Sequence, residues 1–224
     1  MTELMKIRDG VIRLFTSQLS SCEVTPDKYR SFSYPKFIPM MKFNVKQYKI
    51  GGFGGLMTML TDTPFGMQLL TCSFMPYEGN KVPFLLIDIM IMNGKKIVFA
   101  EYYDCTAEKT PQPLLVKVHE KYKSLPQYKE KPAWYISERT EYSLIKSLDK
   151  DAERHLLSGF VADSVRAYKK SALDAGKDIG ELEGLISFRE RMIKEGNPSS
   201  AVLKKVFGET GAAEFFKTCV MPLR

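Results

Sequence analysis

The chain of 224 residues has little cysteine and histidine, the side chains that most often bind transition metals. Its four cysteines, Cys22, Cys72, Cys105 and Cys219, are widely separated without a Cys-x-x-Cys spacing, and only two histidines accompany them. This pattern excludes the usual zinc and iron–sulfur motifs, so we expect no metal site. Isolated cysteines are typical of a reducing compartment, where thiols stay free, and they predict a cytoplasmic protein.

Long apolar runs are also missing from the sequence. No stretch reaches the ~18 apolar residues that a membrane-spanning helix requires, and the N-terminal MTELMKIRDG lacks the apolar core of a signal peptide. We therefore expect no membrane association. Hydrophobic residues still make up 44% of the chain, enough for one substantial core, and nothing in the composition divides residues 1–224 into more than a single domain.

Nucleotide and nucleic-acid signatures are absent although the chain is basic. Lys and Arg number 33 against 26 Asp and Glu, a formal charge of +7, which favours an acidic partner or ligand. The cations are spread along the chain, and the aromatic residues lie mostly in apolar runs, so we expect no nucleic-acid partner. The glycine-rich segment 51–55 has no Lys-Ser/Thr after it, which predicts a sharp bend rather than a phosphate-binding loop.

The residue patterns predict helices at both ends of the chain and strands between them. Apolar residues at helical spacing predict a helix over 2–20, and the proline- and aromatic-containing segment 24–48 predicts an extended connection. Short connections then make four predicted strands antiparallel neighbours. These strands are 56–60, 66–75, 84–92 and 95–103.

The second half of the chain is predicted to be mainly helical. One more strand is predicted over 134–145, after a helix over 114–122. The remaining predicted helices are 151–175, 179–194, 199–208 and 212–220. The order of elements predicts the α+β class, with a central antiparallel sheet covered by helices.

One carboxylate interrupts the most apolar predicted strand. Asp88 is the one ionisable residue in FLLIDIMIM, residues 84–92, and Asn93-Gly94 after it suits a two-residue hairpin turn. Burial raises the pKa of a carboxyl group because the charged form loses its hydration. Asp88 is therefore a candidate for proton transfer. The alternative explanation for its charge is that this face of the strand is exposed to solvent at this point.

The closing segment, NPSSAVLKKVFGETGAAEFFKTCVMP at 197–222, resembles the end of the ferredoxin-dependent bilin reductases. Pro83 precedes Asp88 by five residues, like the Pro-x-x-x-x-Asp motif that carries the catalytic aspartate of that family. The resemblance implies a three-layer α/β/α sandwich that holds a linear tetrapyrrole, such as biliverdin, between the sheet and the C-terminal helices. It implies Asp88 as the proton donor and reduced ferredoxin as the electron source, with no flavin, nicotinamide or other tightly bound cofactor.

Two positions depart from the family pattern. Thr71 stands where many members have a histidine, and Asn197 stands where a second aspartate is common. Asn197 can hydrogen-bond the ligand, but neither side chain donates a proton at neutral pH. These departures leave open a single two-electron reduction, a changed substrate, or a tetrapyrrole carrier without catalysis. Arg139 and Lys146 are the candidates for binding the ligand's propionates, or are ordinary surface cations.

Overall fold

An antiparallel sheet with helices on both faces organises the described part of the chain. The computed structural model describes residues 1–35, 40–64, 66–77, 80–106, 110–149, 155–175, 182–197 and 199–223. Its strands are β1 (Ser21–Glu23), β2 (Ser31–Tyr34), β3 (Met41–Ile50), β4 (Gly54–Asp62), β5 (Gln68–Pro76), β6 (Phe84–Met92), β7 (Lys95–Tyr103) and β8 (Leu144–Leu148). Its helices are α1 (Glu3–Thr16), α2 (Asp27–Arg30), α3 (Pro113–Tyr122), α4 (Leu156–Asp174), α5 (Leu182–Lys194) and α6 (Ser200–Phe215), with a 3₁₀ helix at Trp134–Glu138 and a π-helix at Phe216–Val220.

The strands follow one another across the sheet in the order β1-β3-β4-β5-β6-β7-β8, and β2 also pairs with β3. Every pairing between these strands is antiparallel. The hairpin between β6 and β7 has the predicted two-residue turn, and both of its residues have positive φ, 52° at Asn93 and 80° at Gly94. This geometry fits the right-handed twist of the strands that it joins.

Two apolar cores lie on opposite faces of the sheet, as side chains alternate along each strand. On one face, α1, α3 and α4 pack against residues such as Leu85, Ile87 and Ile89 of β6. On the other face, α5, α6 and the π-helix pack against Met57, Met59 and their neighbours. The predicted α+β sandwich is confirmed.

Several predicted elements differ in extent from the structure. The segment predicted as an extended connection over 24–48 instead contains α2, β2 and most of β3. The strand predicted over 134–145 is a 3₁₀ helix followed later by β8. The two last predicted helices are joined within α6, where Gly208 has the non-helical angles φ 72° and ψ 176° and separates two helical segments as predicted, and the second segment ends in the π-helix. Residues 151–154 and 179–181 of the predicted helices lie outside the described residues.

The approach of α5 to the sheet depends on Gly184. A methyl group added at this residue would lie 2.1 Å from the carbonyl oxygen of Cys105, which is far too close for a normal contact. The backbone at Cys105 cannot move aside as easily as a flexible side chain could. We expect Gly184→Ala to lower the free energy of unfolding by about 1–3 kcal/mol. The matched control is Gly10→Ala in α1, where no atom lies within 4 Å of the added methyl group. Urea denaturation of both variants measures the difference, and equal effects would contradict this packing.

Candidate active site

A small cavity lies between the sheet and the C-terminal helices, on the face that carries Asp88. Strands β4 to β7 form its floor, while α5, α6, the π-helix and the connection between α5 and α6 form its roof. Most of its wall is apolar. The polar groups on the wall include Thr71, Asp88, Glu101, Tyr103 and Asn197.

The register of the sheet brings Thr71 and Asp88 together. The two residues face each other on β5 and β6, and residues opposite each other in an antiparallel pair point to the same face. The Thr71 hydroxyl donates a hydrogen bond to Asp88 Oδ1 over 2.5 Å. This contact fixes one carboxylate oxygen against the neighbouring strand.

Burial raises the pKa of Asp88 to about 6, because the apolar strand leaves the charged form poorly solvated. The hydrogen bond from Thr71 and the positive charge of Arg139 oppose this rise. A carboxyl group with a pKa near 6 still holds a proton in a fraction of molecules at neutral pH. Such a group can release a proton to a ligand that becomes basic, as general acids do.

Asn197 also lines the cavity, but its side chain is engaged in the connection between α5 and α6. Its Oδ1 accepts from the Ser199 N–H over 3.0 Å, and its Nδ2 donates to the Met192 carbonyl over 3.4 Å. Its backbone N–H donates to Ser200 Oγ over 2.8 Å. Asn197 therefore shapes the roof of the cavity, and a contact with a ligand remains a prediction.

Arg139 lies behind the cavity wall rather than on it. Its guanidinium makes two hydrogen bonds to the Glu130 carboxylate, of 2.6 and 2.7 Å, and an ion pair with Glu101. Its side chain is only 6% exposed. With two carboxylates already bound, Arg139 has little capacity for a propionate, so the structure lends no support to the role expected for it.

Lys146 lies on the opposite face of the sheet from Asp88. It pairs with Val98 in the register, and Val98 belongs to the core beneath α1, α3 and α4. The ammonium group is buried and donates to the carbonyls of Lys123 and Leu125. The expectation that Lys146 binds a ligand of this cavity therefore needs correction, because one residue of strand register decides the face to which a side chain points.

Glu101 is a cavity residue that the sequence reasoning missed. It lies on β7, next to β6, and its Oε1 accepts a hydrogen bond of 3.0 Å from the Tyr103 hydroxyl. Burial raises its pKa to about 7, against the opposing charge of Arg139, while Asp88 adds to the rise. The available signal was a second carboxylate within an apolar strand, the same signal that singled out Asp88.

Two side chains of the sheet hold the π-helix over the cavity. Gln47 Nε2 donates to the Thr218 carbonyl over 2.7 Å, and the Ser73 hydroxyl donates to the Val220 carbonyl. In this state the cavity has a volume of only about 40 Å³. Pockets for ligands of drug size usually measure about 300–1,000 Å³, so a large ligand must displace part of the roof to enter.

The described residues contain neither a metal-binding cluster nor a membrane-spanning helix. Within the described ranges, no three His, Cys, Asp or Glu residues form a group that could hold a metal ion. None of the helices in that part of the chain is both long enough and apolar enough to cross a membrane.

Comparison with solved structures shows a likeness over nearly the whole chain. The fold matches the crystal structure of phytochromobilin synthase from tomato in complex with biliverdin, with a TM-score of 0.78. The match covers 95% of this chain and 80% of the tomato chain at 13% sequence identity. The chain has the fold of the ferredoxin-dependent bilin reductases. No protein-family profile and no curated protein sequence matches it.

The cavity lies where the resemblance to the bilin reductases predicts a ligand site. The sequence resemblance predicted a ligand site between the sheet and the C-terminal helices, and the structure has a cavity there. Asp88, Thr71 and Asn197 all line it, whereas Arg139 and Lys146 do not. At 13% identity the likeness establishes the bilin reductase fold and leaves the activity to be tested.

Proposed function

We propose that this protein reduces a linear tetrapyrrole of the biliverdin type, with single electrons from reduced ferredoxin and a proton from Asp88. The observation that carries the proposal is the position of Asp88. It is a carboxyl group with a pKa near 6 on the wall of an apolar cavity, in a fold whose tomato example binds biliverdin. Perturbed carboxyl groups in clefts are typical of functional sites.

The cavity wall fits an extended conjugated ligand. Its apolar residues include Met57, Met59 and Met192, whose flexible thioether side chains adapt well to a flat aromatic surface. Phe84 and Phe216 add aromatic rings. A tetrapyrrole plane can therefore lie on the sheet beneath a displaced roof, with its nitrogen atoms and lactam oxygens toward the polar groups.

Asp88 supplies the proton in this mechanism. An electron from the donor enters the conjugated system of the tetrapyrrole and makes it basic, and the protonated Asp88 then donates to it. Thr71 holds Oδ1 of Asp88, which leaves Oδ2 as the oxygen that can face the ligand. No flavin or nicotinamide is needed, because ferredoxin delivers electrons one at a time.

The charge of the chain suits an acidic electron donor. Ferredoxins are acidic proteins, and a formal charge of +7 favours their approach. Electrostatic association of this kind weakens as salt screens the charges over about 8–10 Å. The rate of reduction should therefore fall with ionic strength when ferredoxin is limiting.

A non-catalytic tetrapyrrole carrier is the second candidate function. Thr71 and Asn197 favour it, because both stand where titrating residues are typical of the bilin reductases and neither releases a proton at neutral pH. A carrier would bind biliverdin and leave it chemically unchanged in the presence of reduced ferredoxin.

Binding tests the proposal first. Biliverdin added to the purified protein should show a shifted absorption spectrum, and reduced ferredoxin added without oxygen should change that spectrum further. Met192→Trp, which fills the cavity from α5, should weaken binding at least about 10-fold. Ile186→Trp is the control, because Ile186 lies on the same helix and is 37% exposed. Equal binding by the two folded variants would place the ligand elsewhere.

A further inference from the structure

Glu101 is an acid on the cavity wall that the proposed mechanism leaves unused. It faces the same cavity as Asp88 from the neighbouring strand. In the register Glu101 lies opposite Leu86, so it is the diagonal neighbour of Asp88. Such neighbours have Cα atoms roughly 7–8 Å apart and point to the same face.

The carboxylates around Glu101 outnumber the cations when every group is ionised. Arg139 faces Glu101 and Glu130 at once, and Asp88 adds a third carboxylate nearby. Two tyrosines complete the surroundings, Tyr103 on the same strand and Tyr135 on the cavity wall. One guanidinium cannot compensate three carboxylates in an apolar interior, which favours keeping a proton on a carboxyl group that faces the cavity.

Reduction of a conjugated tetrapyrrole by two electrons requires two protons. Asp88 can deliver one, while Thr71 and Asn197 can deliver neither. Glu101 is the remaining carboxyl group among the described residues that line the cavity. The spacing of the two acids suits a delocalised ligand, since the two protons can reach atoms several ångströms apart in one conjugated system.

We propose that Glu101 donates the second proton of the reduction, an inference that rests on the proposed function. Two reduced ferredoxins each lose one electron, and one π bond of the tetrapyrrole is replaced by two new bonds to hydrogen. One proton leaves the Asp88 carboxyl and the other leaves the Glu101 carboxyl. The Tyr103 hydroxyl, which already donates to Glu101 Oε1, stabilises the carboxylate that forms, and water restores both protons after product release.

Glu101→Gln tests this assignment in a single turnover without oxygen. The variant should bind biliverdin and accept an electron, then accumulate a radical visible by electron paramagnetic resonance, with product formed at least about 100-fold more slowly. Glu101→Asp should restore part of the rate. Biliverdin binding and thermal melting show that each variant is folded.

The possible outcomes separate the two proposals. A Glu101→Gln variant that forms product at the rate of an active wild type would overturn the role of Glu101 and leave the reductase function intact. A wild type that binds biliverdin without reducing it would overturn both. Stalling of Glu101→Gln at the radical supports both.

Glu130→Gln distinguishes proton donation from a purely structural role. Glu130 shares Arg139 with Glu101, so its neutralisation leaves the guanidinium to Glu101 alone and lowers the pKa of Glu101. The rate requires protonated Glu101, and it should therefore begin to fall at a lower pH than in the wild type. Arg139 also lowers the pKa of Asp88, so the same substitution is measured in the Glu101→Gln background. If Glu101 only supports the fold, Glu130→Gln will shift the alkaline limb of the pH–rate profile equally in both backgrounds, which would contradict the proposal.

Discussion

Asp88→Asn is expected to abolish reduction while leaving tetrapyrrole binding in place. Asparagine matches aspartate in size and can still accept the hydrogen bond from Thr71, but it has no acidic proton. We expect the single-turnover rate to fall at least about 100-fold, within the range usual for loss of a general acid. Anaerobic absorption spectroscopy with reduced ferredoxin measures the rate.

The control for this substitution is Asp62→Asn. Asp62 ends β4 and accepts a hydrogen bond from the Gln68 amide, away from the described wall of the cavity. Its neutralisation should leave the rate unchanged. An Asp88→Asn variant as active as Asp62→Asn would remove Asp88 from the mechanism.

The same substitution should stabilise the fold above pH 6. Asp88 has a folded-state pKa of about 6, above its ordinary value of 3.8, so the wild type loses stability as the pH rises between these values. Asparagine carries no such cost. Asp88→Asn should therefore be more stable by about 3 kcal/mol at pH 8 and lose that advantage near pH 4, as expected where function is favoured over stability.

Arg139→Met is expected to produce the largest loss of stability. It leaves the carboxylates of Glu101 and Glu130 buried without their shared cation, and breaking a buried ion pair in this way costs about 3–5 kcal/mol. The pKa of Glu101 should rise further, because the guanidinium now lowers it. Denaturant unfolding at pH 7 measures the loss.

Arg191→Met provides the comparison for a surface arginine. Arg191 also pairs with two carboxylates, those of Glu138 and Glu195, but its side chain is 42% exposed. Ion pairs in contact with solvent stabilise a fold only weakly, so this variant should lose little stability. If the two arginine variants lose equal stability, the buried ion pairs of Arg139 with Glu101 and Glu130 stabilise the fold no more than exposed ion pairs do.

Much of the sheet centre could be predicted from local patterns. The hairpin of β6 and β7 has the predicted limits, because its strands are rich in apolar residues and Asn93-Gly94 fixes the turn. Strands β2 and β3 were missed, because prolines and aromatic residues obscured the alternation of polar and apolar residues that is typical of a strand. Pairing with the rest of the sheet stabilises them, and local sequence does not contain that information.

The same hairpin explains which site residues could be found. A two-residue turn pairs residues on either side of it, so Asp88 lies opposite Phe99, and Glu101 falls on the same face. Glu101 was therefore predictable once the turn was accepted. The position of Lys146 depends on the register of β8, which follows a long irregular connection, and that register could not be derived from local spacing.

The measurement that tests the central claim most directly is the hydrogen and electron balance of one anaerobic turnover. Biliverdin bound to the wild-type protein is mixed with reduced ferredoxin, and the extracted pigment is analysed by chromatography and mass spectrometry. A reductase will oxidise two ferredoxins for each pigment molecule and yield a product heavier by two hydrogen atoms. Recovery of unchanged biliverdin, with ferredoxin still reduced, would contradict the account and favour a tetrapyrrole carrier.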